Sequence, residues 1–292
     1  PNLDGTSQAI ARYDRDSTGG GSYIVDGQTL LQAADVDGVQ MYTVSEGRAR
    51  VCGQGIYMPT SRRLSYAAVP DLRAVETEVF TADGTATQRL DVAHPPIWTV
   101  RTLRVTVKKT VSLTHGAYLG AKDALPDIAV VEILSVRMGD TVYVQGTDYK
   151  KTGDTVDWSP SGNEPPTGST YEAEYTCIIV AAPENQDRDG FSVSGAVAGS
   201  SIIVTYDQAL PRLDRLCLTQ DGTFQWFQGV ASESNQMPPH LPDSVLPLAT
   251  VFQTWRAARG IDNDGVRVQS FEEMRRQRNL DTYMLERVSE LA

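Results

Sequence analysis

Glycine, aspartate and proline cut this chain into short pieces along most of its length, and that punctuation limits what it can fold into. Asp-Gly pairs stand at Asp26-Gly27, Asp37-Gly38, Asp83-Gly84, Asp189-Gly190 and Asp221-Gly222. In such pairs glycine supplies the positive φ of a tight turn. Between the breaks run alternating apolar and polar residues, as in Val142-Tyr-Val-Gln-Gly-Thr-Asp-Tyr149 and Trp98-Thr-Val-Arg-Thr-Leu-Arg-Val-Thr-Val107. Alternation with period two buries one side of a strand and leaves the other wet. The phase slips near Leu103, which predicts a bulge in that strand. Comparable runs cover 39–44, 75–80, 130–136, 171–180, 201–206, 213–218 and 224–227, and 216–227 reads as a hairpin turning at Asp221-Gly222.

A chain of 292 residues is long enough for one large or two medium domains with a sizeable core. The longest apolar runs, at 129–131 and 178–182, are far shorter than the roughly 20 residues of a membrane-spanning helix, so no membrane span is expected. The opening Pro-Asn-Leu-Asp-Gly-Thr lacks the basic flank and apolar block of a secretory signal. It does not begin with Met, so the chain is expected to be processed or a piece of a longer one. The net charge of −11 argues against nucleic acid as a partner, because phosphate binding is driven by clustered Lys and Arg. The basic pairs Arg62-Arg63, Lys108-Lys109, Lys150-Lys151 and Arg275-Arg276 read as solvated faces. Cys52, Cys177 and Cys217 are odd in number, lack metal or redox spacing and have apolar neighbours, so buried free thiols made in a reducing cytoplasm are expected.

Catalytic and metal patterns are mostly absent or incomplete. His94, His115 and His240 form no His-Glu-x-x-His motif, and no Gly-x-Ser-x-Gly elbow exists. A dispersed triad leaves no such signature and stays open at this level. Asp154 and Asp157 flank Trp158, but with 37 carboxylates in the chain such a pair carries little information. A turn carboxylate beside a packing Trp is the expected reading. Asn185-Gln-Asp-Arg-Asp-Gly190 matches the first half of a calcium loop, yet Ala196 stands where the bidentate Glu belongs. An Asx-rich turn is expected there instead. Gly19-Gly20-Gly21 lacks a following Lys and Ser or Thr and reads as linker. No enzyme activity, cofactor or metal is expected.

Only the C-terminal segment reads as helix. Ser270-Phe-Glu-Glu273 is a capping-box pattern, and Met274, Met284, Val288 and Leu291 follow at near-heptad spacing with Gln277 and Asp281 interrupting the seam. Packing on its own domain and oligomerisation are both open. Pro238, Pro239, Pro242 and Pro247 favour extended backbone over 237–247, an arm suited to wrapping a partner.

The 142–175 segment resembles a β-module of tail and baseplate proteins of contractile-tailed bacteriophages. Two further blocks are similar to a fibre-attachment domain of such tails. Gly47-Arg-Ala-Arg-Val-Cys-Gly53 matches its Gly-x-Ala-x-Val-x-Gly pattern, and Pro211-Arg-Leu-Asp-Arg-Leu-Cys-Leu218 matches its Arg-x-Asp-x-Leu-x-Leu strand. Leu285-Glu286-Arg287 fits the closing helix, whereas the glycine-rich opening at 17–22 and the polar helix seam depart from the pattern. The resemblance covers most of the chain from about residue 40 and implies a mainly β fold of two sandwich- or barrel-like domains, the second inserted in the first, with a C-terminal α-helix. The expected parts are an N-terminal arm over 1–22, a discontinuous β domain over 23–93 and 183–255, an inserted sandwich over 94–182, and a helix over 266–292. His94-Pro95-Pro96 and Pro183 bracket the insertion.

The implied function is structural: a baseplate component, made in the host cytoplasm and carried in the virion, that positions fibres or spikes through protein–protein interfaces. Its partners would be other tail, baseplate or fibre proteins and copies of itself, a trimer first. Pro238, Pro239, Pro242, Met274, Met284, Val288 and Leu291 are the expected contacts. Two alternatives are a carbohydrate- or receptor-binding fibre module and a glycan-degrading enzyme.

Overall fold

The computed structural model describes residues 21–268, with the isolated positions 9, 10, 13, 278 and 283. Met274, Met284, Val288 and Leu291 lie outside the described residues, as does most of the expected N-terminal arm. The described chain is mainly β, with 21 strands. No described helix is long and apolar enough to cross a membrane. Contacts divide the chain into two compact units, one holding the chain up to Asp71 and from Leu210 onward, the other Leu72–Ala209.

The first unit opens with β1 (Tyr23–Gly27), β2 (Leu30–Val36), β3 (Val39–Val44), β4 (Gly47–Val51), β5 (Gln54–Met58) and β6 (Arg62–Tyr66). They form two antiparallel sheets ordered β1-β4-β5 and β2-β3-β6. Asp37 (φ 50°) and Gly38 (φ 78°) make the β2–β3 turn, both left-handed as the tightest hairpins require. Cys52 (φ 50°) and Gly53 (φ 77°) repeat this between β4 and β5, a turn that Cys does not advertise in sequence.

The second unit contains β7 (Asp71–Thr81), β8 (Thr87–Asp91), β9 (Ile97–Thr114), β10 (Lys122–Ala124), β11 (Val130–Met138), β12 (Thr141–Tyr143), β13 (Lys150–Thr152), β14 (Thr155–Asp157), β15 (Thr170–Val180), β16 (Gly190–Ser194) and β17 (Ser201–Leu210). Six of them form one sheet in the order β12-β11-β15-β9-β17-β7, beside the small sheets β10-β14-β13 and β16-β8. The 18-residue β9 organises this unit. Its second half pairs with β15 from Arg104 to Thr114, and its first half pairs with β17 from Ile97 to Arg104. The β9–β17 register skips Arg101, which is the bulge that the slipped alternation near Leu103 predicts.

Each half of β9 also feeds a core of its own. Val107, Val111 and Leu113 pack with Tyr143, Trp158 and Tyr175, while Ile97, Leu103 and Val105 pack with Phe191, Val204 and Tyr206. The edges expected for the insertion, 94 and 182, therefore fall inside this unit, because β9 is paired on its far side to β17.

The chain then returns to the first unit as β18 (Arg212–Thr219), β19 (Phe224–Phe227), β20 (Val245–Gln253) and β21 (Gly260–Asp262), ordered β19-β18-β20-β21. The expected hairpin is β18–β19, with Gly222 at φ 77° in its turn. Leu216, Leu218, Leu246, Leu248 and Val251 from this return share one buried core with Tyr42, Val44, Ala49 and Val51. The sequence-distant halves of the unit are thus one folding entity.

Two expectations are corrected here. Val245 to Pro247, the end of the expected arm, belongs to β20; Pro247 faces Cys217 where the register shifts, the kind of irregularity that tolerates proline within a sheet. Residues 266–268, expected to open a helix, are extended instead: Ile24 N–H donates to the Val266 carbonyl at 2.7 Å and Val268 N–H to the Ile24 carbonyl at 2.9 Å.

All three cysteines are free, with Cys177 and Cys217 buried and Cys52 half-buried. Burial raises the Cys177 thiol and pushes Cys217 up to about 12. At pH ~8 a thiol of that acidity is ionised only to about one part in ten thousand, and the thiolate is the reactive form. Native protein treated with a thiol reagent at that pH is expected to label at Cys52 at most, with Cys177 and Cys217 reacting only after denaturant is added.

Candidate functional site

The residues able to do chemistry in this chain are mostly engaged with one another. His115 and Asp123 form a pair with the look of a catalytic dyad, Nδ1 lying 2.9 Å from Asp123 Oδ2. That same oxygen accepts from Trp158 Nε1 at 3.0 Å and from the Tyr171 hydroxyl at 2.8 Å, while Oδ1 accepts from Gly116 N–H at 2.9 Å. The carboxylate is saturated, and the His115 side chain is fully buried. Trp158 sits edge-on to Tyr143, Tyr171 and His115 at ring-centroid distances of 5.1, 5.3 and 5.5 Å. A substrate has no approach to this pair. The cluster is a polar pin in an aromatic core, of the kind that fixes a unique packing. Gly116 is required beside it, since a Cβ there would stand 2.6 Å from that of Ala121.

The two carboxylates flanking Trp158 are equally occupied. Asp154 accepts from the backbone of Val130 at 2.8 Å and of Ala129 at 3.3 Å. Asp157, 1% exposed, accepts from Thr152 at 2.8 Å and from Ser159 N–H at 3.0 Å, with Lys122 Nζ at 3.3 Å. Burial alone would raise its pKa, but these donors outweigh it and hold the carboxyl well below the usual range. Asp187, from the calcium-like run, receives Arg89 Nη2 on both oxygens at 2.7 and 2.8 Å, and Asp189 and Gly190 N–H on one of them. It makes the expected Asx turn. Among the described residues no group of three His, Cys, Asp or Glu is placed to hold a metal ion.

These pairings carry a pH dependence. Arg89 first, then the backbone donors, lower Asp187 from 3.8 to about 2. Arg48 lowers Asp26, Arg259 lowers Asp35, Thr85 lowers Asp83, and Lys109 lowers Asp127. A carboxyl depressed in the folded state binds fewer protons there than in the unfolded chain, so its stabilisation is full above the unfolded pKa and disappears as pH falls. The thermal midpoint is expected to stay nearly level from about pH 7 to 5 and to drop below about pH 4. Added salt should flatten the change, because most of these pairs are exposed.

The motif of β18 is also structural. Arg212 donates from Nε to Asp214 Oδ1 at 2.7 Å and from Nη1 to Asp71 Oδ2 at 3.2 Å, and its guanidinium lies 5.3 Å from the centre of the Trp255 ring. Asp214, fully buried, also accepts from the Tyr66 hydroxyl at 3.0 Å and Gly229 N–H at 3.2 Å. Tyr66 in turn stacks on Trp226, centroids 4.2 Å apart and planes 8° from parallel. Nearby, the Gln40 and Gln253 amides bond each other at 2.9 and 3.0 Å.

Besides an open cleft of about 750 Å³ lined by Asp26, Glu46, Arg48, Tyr57 and Pro59 among others, two smaller surface clefts of the first unit remain. One, of about 410 Å³, is lined by Leu213, Arg215, Pro238, Phe252 and Ile261 among others. Pro238 and Pro242 are exposed and Pro239 is half-buried. Met237 is held against its own unit, its carbonyl accepting from Val230 N–H at 3.3 Å, so the expected arm is pinned at its start by Met237 and at its end by β20. The other cleft, of about 310 Å³, lies between β5 and the β18–β19 turn and is lined by Gln54, Tyr57, Arg62, Gln220, Asp221 and Gln28 among others. Gln28 is fully buried, and neither Oε1 nor Nε2 has a hydrogen-bond partner. Each such orphaned group costs about 1–3 kcal/mol. Sequence reading missed it; an isolated Gln after Asp-Gly carries no signal beyond its turn.

A family model described as a domain of unknown function, DUF4815, matches residues 1–291. The chain belongs to that family. No curated protein and no solved structure matches it. Membership in the DUF4815 family covers nearly the whole length and leaves the activity to be argued from the residues.

Proposed function

We propose that the chain is a structural component of a phage tail baseplate that attaches or positions fibres through protein–protein interfaces. The observation that carries this reading is where the chemistry-bearing side chains lie: His115, Asp123, Asp157, Arg212 and Asp214 are buried, with His115 Nδ1 on Asp123, Arg212 on Asp214, and Asp157 on Thr152, Ser159 and Lys122. What the molecule offers its surroundings is a stiff β surface, with apolar side chains such as Tyr118, Leu119, Ile128 and Val142 at 66, 75, 81 and 65% exposure. Uncovered apolar residues of this kind suit contact with partners. The resemblance of 47–53, 211–218 and 142–175 to fibre-attachment proteins points the same way.

In this reading the second unit is a sandwich-like module inserted into the first. The helix expected over 271–291, through Met274, Met284, Val288 and Leu291, joins copies of the chain into a trimer. The protein is made in the host cytoplasm and resides in the virion, with other tail proteins and no nucleic acid as partners, in keeping with its net charge of −11. Gold-labelled antibody against the chain should decorate the baseplate end of intact tails in electron micrographs. Label found only on capsids, or absent from purified particles, would overturn the proposal.

A further inference from the structure

We propose that the cleft between β5 and the β18–β19 turn binds a neutral saccharide of one or two rings. This stands whether or not the chain is a baseplate component. The floor is Gln28, whose backbone is in the left-handed region at φ 55°, rarely adopted by a residue with a long side chain. A turn residue held in such a conformation, with its amide buried and unpaired in a cleft, is better explained by a ligand than by folding.

The chemistry of the lining selects the ligand class. Gln28 offers a free carbonyl oxygen and a free NH₂, and a sugar hydroxyl, donor and acceptor in one, can satisfy both. Around the rim stand the exposed side chains of Gln54, Arg62, Gln220 and Asp221, supplying further donors and acceptors for ring hydroxyls. Tyr57, 71% exposed on the edge strand β5, also lines the cleft. One cation and one anion on the rim favour neither an anionic nor a cationic ligand, and a lining this polar does not suit an apolar one. A volume of about 310 Å³ is at the small end of ligand sites, the size of one or two sugar rings.

The test is the full chain on an array of neutral oligosaccharides built from glucose, galactose and N-acetylhexosamines, followed by titration calorimetry with the free oligosaccharide that binds. Gln28→Leu removes the amide at nearly constant volume. It is expected to weaken binding at least tenfold while the thermal midpoint stays level or rises, because an unpaired buried amide is lost. Should Gln28→Leu fail to fold, the rim variant Gln220→Ala with Asp221→Ala is expected to give the same loss. No neutral oligosaccharide bound by the wild-type chain would overturn the proposal, as would binding restricted to anionic glycans or binding that survives the substitutions in folded protein.

Discussion

Replacing Asp214 by alanine is expected to destabilise the first unit by about 3–5 kcal/mol, the loss seen when one partner of a buried ion pair is removed. The Arg212 side chain is only 3% exposed and would keep its charge. Its remaining anionic partner, Asp71, is 61% exposed and contributes little in water. The Tyr66 hydroxyl and Gly229 N–H would lose their acceptor as well. Denaturant unfolding of wild type and variant measures the difference. The double change Arg212→Met with Asp214→Leu should recover the part of the loss that comes from the unpaired Arg212 charge, while the Tyr66 hydroxyl and Gly229 N–H stay without their acceptor. A loss below about 1 kcal/mol for Asp214→Ala would mean that water reaches the pair and that the motif of β18 is not the pin described above.

The second large effect is expected at Trp158. Its alanine variant should lose about 3–5 kcal/mol, the range for truncating a buried Trp in a close-packed core. Trp158 is 1% exposed and touches three tyrosines and His115, so few neighbours can close the gap without moving the strands that carry them. Trp158→Phe retains most of the packing but takes one donor from Asp123, and a smaller loss of about 1–3 kcal/mol is expected. Thermal unfolding followed by near-ultraviolet circular dichroism reads both. If Trp158→Ala also exposes Cys177 to thiol reagent, the core it shares with that residue has opened.

The difference between these two sites shows what the sequence could convey. Strands, turns and the bulge in β9 follow from local alternation and from glycine placement, and they are legible residue by residue. Trp158 reads correctly as a packing residue because it sits in an alternating run. The unit boundaries are different. Nothing local to 98–107 reveals that β9 runs on to Thr114 and pairs with both β15 and β17, because pairing partners are chosen by tertiary contacts. The proline tract read as a free arm for a similar reason: proline limits the backbone but does not say what covers it. His115 and Asp123 lie eight residues apart with no motif, and Gln28 lines one cleft with Gln220 and Asp221 from about two thirds of the chain away. Such constellations exist only after folding.

The most direct test of the attachment role is size-exclusion chromatography with light scattering, run on the purified chain alone and after mixing with baseplate and fibre proteins. The account predicts a trimer or larger species that moves to a still larger complex when the tail proteins are added. A monodisperse monomer that elutes unchanged beside those proteins would contradict it.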